Sequence, residues 1–477
     1  MSQRSLAFNK GWKNTPIDQL LAPMDDGRIL HHGWSPQCDV ISSPSEEEWG
    51  VLKTTSIQPG NYWPHENKRL PENLKPRPQL EVREGDLLLT CAGPRARCGV
   101  ACLVKHTRPR LIFSGKMYRM RPDPDKIQPR YLEAFLQSSE AQDAIDKMKT
   151  GISDSGLNLT HDRFKRLLVP LAPRDEQDSI ADEIEKQHSR IDAGSVALKR
   201  VQANLKRYRA AVLKAACEGR LVPTEAEFAR QEGRTYESGA QLLERILVER
   251  REKWNGRGKY REPVGPDTSG LGELPEGWVW GTAEQLSDET RAITYGVIKL
   301  GAEVLDGVPV LRTSDVRHLR LDLSDVKRIS PKIASEFRRT FLQGNEVLVA
   351  VRGTLGGVVA VPTECAGYNI SREVAMLALI LPETAKAVAV FIGSSPLQQW
   401  LMRRTKGIAY TGINIETLKQ LPIPVPSLAE QARIVAEVER RLSVDDEIEA
   451  TVAADLLRAG RLRQAVLQTA FAVATLR

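Results

Sequence analysis

Apolar and polar positions alternate along this chain in two ways, and each way occurs twice. Short apolar runs broken by Gly and Pro read as strands: LLLTCAG, GVACLV and RLIFSGKMYRM first, then EVLVAVRG, GGVVAVP and VAMLALILP. The stretches PRYLEAFLQSSEAQDAIDKM and AVAVFIGSSPLQQWLMRR add helices, so both regions are mixed α and β. A stricter pattern follows each region. Steps of four and three residues, without a break, join Ile180, Ile184, Gln187, Ile191, Gly194, Leu198, Val201, Leu205, Tyr208, Val212 and Ala215. This is a heptad seam, and a heptad seam asks for a helical partner. The second stripe holds Ile434, Val438, Ile448, Val452, Ala459, Leu462 and Val466; Arg441, Asp445 and Asp455 interrupt it, with Leu442 and Leu456 one residue on. Asp175–Cys217 is 43 residues, a helix of roughly 64 Å, too long for its own domain to bury. Mutual antiparallel packing of the two helices is therefore expected.

The two halves can be laid on each other. DEQDSIADEIEKQHSRID from Asp175 matches AEQARIVAEVERRLSVDD from Ala429, with Glu176 on Glu430 and Gln177 on Gln431, an offset of 254. The same offset carries RAAVLKAAC at Arg209 onto RQAVLQTAF at Arg463. TGISDSGLNL at Thr150 echoes KGIAYTGINI at Lys406, VLKTTSI at Val51 echoes VLRTSDV at Val310, and EGDLLLTCAG at Glu84 echoes QGNEVLVAVRG at Gln343. Five segments in one order make a tandem duplication. The expected fold is α+β: two mixed α/β domains in a pseudo-two-fold arrangement, separated by a long antiparallel helical coiled coil. The expected segments are domain 1 over 1–173, a long helix over 174–222, a charged helical bridge and Gly/Pro linker over 223–272, domain 2 over 273–426 and a second long helix over 427–477.

Composition narrows the chemistry. A formal charge of +7 permits a polyanionic partner without demanding one. No apolar run approaches the length of a spanning helix, and the N-terminus lacks a secretory apolar core, so a cytoplasmic chain without a membrane partner is expected. Six cysteines make no disulfide framework. The nearest metal-like cluster, Cys91, Cys98, Cys102 and His106, falls in RCGVACLV, which reads better as a buried strand; no metal is expected. Neither phosphate-cradling glycine loop occurs, nor the tetrapeptides with which amino-methyltransferases grip a flipped base, nor HExxH or GxSxG. His31–His32 has no carboxylate or cysteine partner at usable spacing. Catalysis is not expected.

PLAPRDEQDSIADEI, PIPVPSLAEQARIVAEV, LKRYRAAVLKAACEGRLV and LPEGWVWGTAEQL resemble the specificity subunits of type I restriction–modification systems, over nearly the whole chain. One departure is the first domain's opening, FNKGWKNTPIDQLL, which lacks the LPEGW form. The resemblance implies two target-recognition domains, each reading one half of a split, asymmetric site in double-stranded DNA. It implies a helical pair that measures the gap and docks two modification (methyltransferase) subunits, joined in the larger complex by restriction (translocase/endonuclease) subunits. S-adenosylmethionine and ATP would sit on those partners, with no cofactor in this chain.

Phosphate contacts draw on Lys, Arg and turn amides, and base readout on Arg, Lys, Ser and Thr in loops. The candidate DNA contacts are Lys53, Thr54 and Thr55 with their echoes Arg312, Thr313 and Ser314; Arg95 and Arg97 with Arg352 and Thr354; Lys149 with Lys406; and Lys116 with Arg372. The candidate partner-binding seam is Ile180, Ile184, Ile191, Leu198, Leu205, Tyr208, Val212, Ile434, Val438, Ile448, Val452, Leu462 and Val466. The competing reading is a coiled-coil scaffold whose globular ends bind protein, which gives no reason for doubled basic loops.

Overall fold

A computed structural model of the protein describes residues 12–43, 45–256, 258–353, 355–405 and 412–471. Thr354 and Lys406 fall outside them. The fold is mixed, 42% helix and 18% strand. The chain divides into two units, Met1–Lys199 with Ala453–Arg477, and Arg200–Val452.

The first unit holds a four-stranded antiparallel sheet in the order Leu30–His32, Met117–Met120, Leu87–Thr90, Ala101–Leu103. All four residues of the central strand Leu87–Thr90 are buried. Side chains alternate across a sheet, and here both faces are covered: Leu87 and Leu89 pack with Tyr131 and Phe135, while Leu88 packs with Val51, Phe113 and Met117. That is why LLLT reads as an unbroken apolar run. A three-stranded sheet, Leu111–Ile112, Gly50–Leu52 and Asn67–Arg69, and a ribbon of Lys13–Pro16 with Leu168–Leu171 complete the framework.

The second unit repeats this wiring. Its sheet runs Thr294–Tyr295, Val374–Leu377, Val347–Ala350, Val358–Ala360. Its three-stranded sheet contains Asn369–Ile370, Val308–Leu311 and Lys327–Ile329, and its ribbon joins Val279–Thr282 to Pro422–Val425. Val347 and Val349 again face one core and Leu348 the other. The helices Glu225–Glu232 and Gly239–Lys253, within the segment read as a bridge, pack here: Leu242, Leu243 and Ile246 join the larger core.

The long helices are Arg174–Cys217 and Leu428–Phe471, 44 residues each, and the 254-residue offset holds at both ends. The Glu-Gln pair that opens each has a visible task. Glu176 accepts the indole N–H of Trp12 at 2.9 Å, as Glu430 accepts that of Trp278 at 2.9 Å. Gln177 donates to the Ala172 carbonyl and Gln431 to that of Pro426, satisfying carbonyls just ahead of each helix. The first domain's Gly-Trp opening thus does the work of LPEGW, with Trp12 in the place of Trp278.

Within the first unit, Ile180, Ala181 and Ile184 share a core with Leu467 and Phe471, and the Asp192 carboxylate meets Arg463 at 2.5 Å, so the two helical segments run antiparallel. Within the second, Val212, Leu213 and Ala216 share a core with Ile434 and Val438. There Arg209 meets Asp445 at 2.7 Å, and also Asp446. Arg209 and Arg463 are equivalents under the offset, as are Asp192 and Asp446. Of the expected seam, Ile180, Ile184, Val212, Ile434, Val438 and Val452 are buried, and Ile191, Leu198, Leu205 and Val466 are half-buried. Tyr208, Ile448 and Leu462 are exposed. The heptad count puts them on the seam, but they stay outside it, while Leu467 joins Val466 against the core and Asp445, an interruption of the stripe, is buried.

Candidate nucleic-acid interface

Both sheets end in a glycine turn, at Gly93 (φ 139°) and Gly353 (φ 74°), where the left-handed backbone suits residues without a Cβ. In the first unit Cys91 takes its amide partner from the Lys116 carbonyl at 2.8 Å, and in the second Val351 takes its partner from Glu373 at 2.9 Å. Lys116 is therefore equivalent to Glu373, not to Arg372; the cation is not doubled there. A similar shift affects the loop ahead of the long helices. Leu159 donates its amide to Cys91, and Ile413 donates to Val351. This aligns Leu159, not Leu157, with Ile413, so the echo from Thr150 slips by two residues before its end.

The first unit's candidates mostly turn their side chains onto carboxylates and carbonyls of their own unit. Arg97 donates to the Ile57 carbonyl at 2.7 Å, to the Thr54 carbonyl and to Gln58. Arg95 is held by Asp146 and Asp154, and Lys149 by the Arg95 carbonyl and Asp146. Lys53 and Thr55 both bind Glu66. Lys116 is exposed and lacks an ion-pair partner among the described residues. In the second unit Arg312 staples its own loop through Asp315 at 3.2 Å and the Asp325 carbonyl, and Ser314 donates to Asp315. Arg372 pairs with Glu373 at 3.1 Å. Thr313 lies beside Gly353, and Arg352, exposed, stacks over Tyr295 at 5.5 Å. A guanidinium on an aromatic face keeps its donors outward and its rotamers few.

Sequence reasoning missed the aromatic half of both turns. Tyr295 occupies the strand position of His32: each sits on the edge strand, opposite Ala375 and Tyr118 respectively. His32, Tyr118 and His161 form a cluster, with Tyr118 and His161 centroids 4.4 Å apart, and burial lowers the His161 pKa. His31 does have a carboxylate partner: its Nε2 lies 2.9 Å from Asp26, and Arg119 donates to Nδ1 at 2.7 Å. The signal was the Asp five residues earlier, held there by a turn that composition does not reveal.

His32 likewise has a cysteine partner that the sequence spacing hid, the Cys91 thiol 4.0 Å from its Nε2, but the cysteines do not converge on one point. Cys91 and Cys98 pack in one core of the first unit and Cys102 in the other, while the His106 side chain is 93% exposed. Burial pushes the Cys91 thiol up to about 12 and raises Cys98 and Cys102 as well. Among the described residues no group of three or more His, Cys, Asp or Glu is placed to hold a metal, and no helix is long and apolar enough to cross a membrane.

Residues 305–456, covering the second glycine turn and the head of the second long helix, match the type I restriction modification DNA specificity domain. The EcoEI specificity subunit of Escherichia coli is 38% identical over 175 residues, 37% of this chain and 28% of that protein's length. The Escherichia coli EcoBI specificity subunit is 29% identical over 76% of this chain and 68% of its own. The EcoKI specificity subunit of Escherichia coli strain K12 is 23% identical over 96% and 89%. The fold matches a chain from a solved structure concerned with complex assembly and conformational transition of the type I R-M system, with a TM-score of 0.57, 18% identity and coverage of 97% and 98%. Over residues 305–456 the chain matches that specificity domain, and over most of its length it is similar to type I restriction enzyme specificity subunits.

Proposed function

We propose that this chain is the DNA-reading subunit of a type I restriction–modification complex in the cytoplasm, serving recognition rather than catalysis. Each unit carries one target-recognition domain and reads one half of a split, asymmetric duplex site. The long helices act as an antiparallel coiled coil that fixes the gap between the halves and offers two modification subunits equivalent footings. The exposed apolar side chains of Tyr208, Ile448 and Leu462 suit that docking. S-adenosylmethionine belongs to the modification subunits, which methylate adenine, and ATP to the restriction subunits.

One observation carries this reading. Two sheets of the same wiring end in equivalent glycine turns, yet those ends bear different side chains: Arg352 on Tyr295 in one, and Arg95 and Arg97 with a histidine–tyrosine cluster in the other. A common scaffold with divergent tips fits two readers of different sequences, whereas a protein-binding scaffold gives no reason for cations at those turns. Mapping methylated adenines in the host genome tests it. A bipartite motif with two fixed halves and a constant gap is expected, and a contiguous palindrome would overturn the two-reader ruler.

A further inference from the structure

A cleft of about 780 Å³ opens beside the edge strand Leu30–His32 of the first unit, running from the glycine-turn end, at His32 and His161, to the loop bearing Arg77 and Arg83. Six cations and three carboxylates line it. At its back Arg119 is 3% exposed and donates to the Glu81 and Gln79 carbonyls at 2.6 and 3.0 Å, while its buried Nε has no partner.

The second unit shows which of these groups are structural. Arg119 stands opposite Leu88 on the central strand, and its equivalent opposite Leu348 is Met376. There Arg291 donates to the Phe341 carbonyl at 3.0 Å and to Glu346 at 2.7 Å. These are the places of the Glu81 carbonyl and of Asp86, which Arg121 binds at 2.7 Å. A buried arginine–carboxylate staple is thus common to both units, which explains Arg119, Arg121 and Asp86 without a ligand. It does not explain Arg77, Arg83 and Lys165, which have no ion-pair partner among the described residues. Arg77 is instead held rigid over Trp34 at 4.3 Å.

Cations gathered around a concave wall with a buried guanidinium behind them focus positive potential into the cleft, and fork-shaped donors match phosphate oxygens. The volume exceeds one phosphate group and suits a short run of sugar–phosphate chain. We infer that this cleft anchors the phosphodiester backbone of the duplex on the first unit's side of the site, with Arg83 and Lys165 as phosphate ligands and Arg77 as a pre-ordered one. The inference rests on the DNA-reading function proposed above and adds a positioning subsite that carries no sequence information.

The test is fluorescence anisotropy of the full-length chain, parent and Arg83→Gln/Lys165→Gln, on two duplexes: one carrying the mapped methylation motif, the other scrambled. Arg83 is exposed and Lys165 half-buried, and matching thermal melts show that the variant is folded. Removing one cation from a phosphate should reduce the slope of log K against log[salt] by about one, so a slope shallower by about two is expected. Both duplexes should weaken by the same factor, leaving the preference between them intact. A parent that binds steeply and selectively, with a variant of unchanged slope, overturns the cleft and leaves the reading of DNA standing. A variant that weakens the motif duplex alone makes these residues base readers and also overturns the anchor. A parent with neither salt dependence nor preference defeats the underlying reading first.

Discussion

Glu430 is almost fully buried and serves two donors at once: one oxygen takes the Trp278 indole N–H at 2.9 Å and the other the Glu225 amide at 3.0 Å. Burial pushes its pKa up, against the pull of these bonds. Glutamine has one acceptor oxygen where glutamate has two, so Glu430→Gln strands a buried donor. The expected cost is ~1–3 kcal/mol, read as a lower midpoint in urea. Among the described residues Glu176, half-buried, accepts only the Trp12 indole, and a glutamine there keeps that bond; Glu176→Gln should cost well under half as much. Equal losses would show that the latch is not what holds the domain starts. The same scale explains what the sequence hid. Arg95, Arg97 and Lys53 read as free loop cations because their partners Asp154, Ile57 and Glu66 lie 13 to 59 residues away along the chain, whereas the Asp315 that holds Arg312 is only three residues on. Nothing in local pattern tells a stapled cation from an idle one.

The long helices were the most legible elements. Both copies of the pattern are ungapped there, and a 44-residue helix leaves a strong 3.5-residue signature. Which seam positions close was less legible, because polar residues take part. Arg209 meets Asp445, whose side chain is 1% exposed, together with Asp446 and Glu449 at 3.7 Å. Among the described residues Arg463 pairs only with Asp192, which is half exposed. Removing the partner of a buried charge costs about 3–5 kcal/mol, whereas an exposed pair contributes about 0–1 kcal/mol. Arg209→Ala should therefore lower the thermal midpoint by several degrees and Arg463→Ala barely move it. If Arg209→Met with Asp445→Leu is no more stable than Arg209→Ala alone, the loss does not come from a stranded carboxylate. The short strands were legible as apolar runs, but their registers were not: the Leu157 echo slips by two against Ile413 because glycine-rich loops match by composition more easily than by length.

Across the whole molecule, three histidines with lowered pKa values set a response to acid: His188 is buried, His161 half-buried and His318 on the surface. Desolvation is the largest cause lowering the pKa of His161 and His188 in the first unit and His318 in the second. A depressed histidine stays neutral in the fold while the unfolded chain takes up its proton near pH ~6.5, so stability falls as pH drops below that value. Thermal midpoints should decline between pH 7.5 and 5.5, and His188→Gln/His318→Gln should flatten the decline even if it lowers every midpoint. An identical slope would remove these groups as the cause. Glu133 and Glu430, raised by burial, work in the opposite sense at lower pH, since they protonate first in the fold.

The first unit's core contains Leu467 and Phe471 beside Ile180 and Ile184. On the ribosome, those two partners emerge about 290 residues after the side chains that await them. At roughly 5–20 residues per second, the apolar face around Ile184 stays uncovered for about a quarter of a minute to a minute. A chain built this way must fold its second half while the first is still unfinished, and chaperone binding during synthesis should concentrate on residues 180–184 until the final helix arrives.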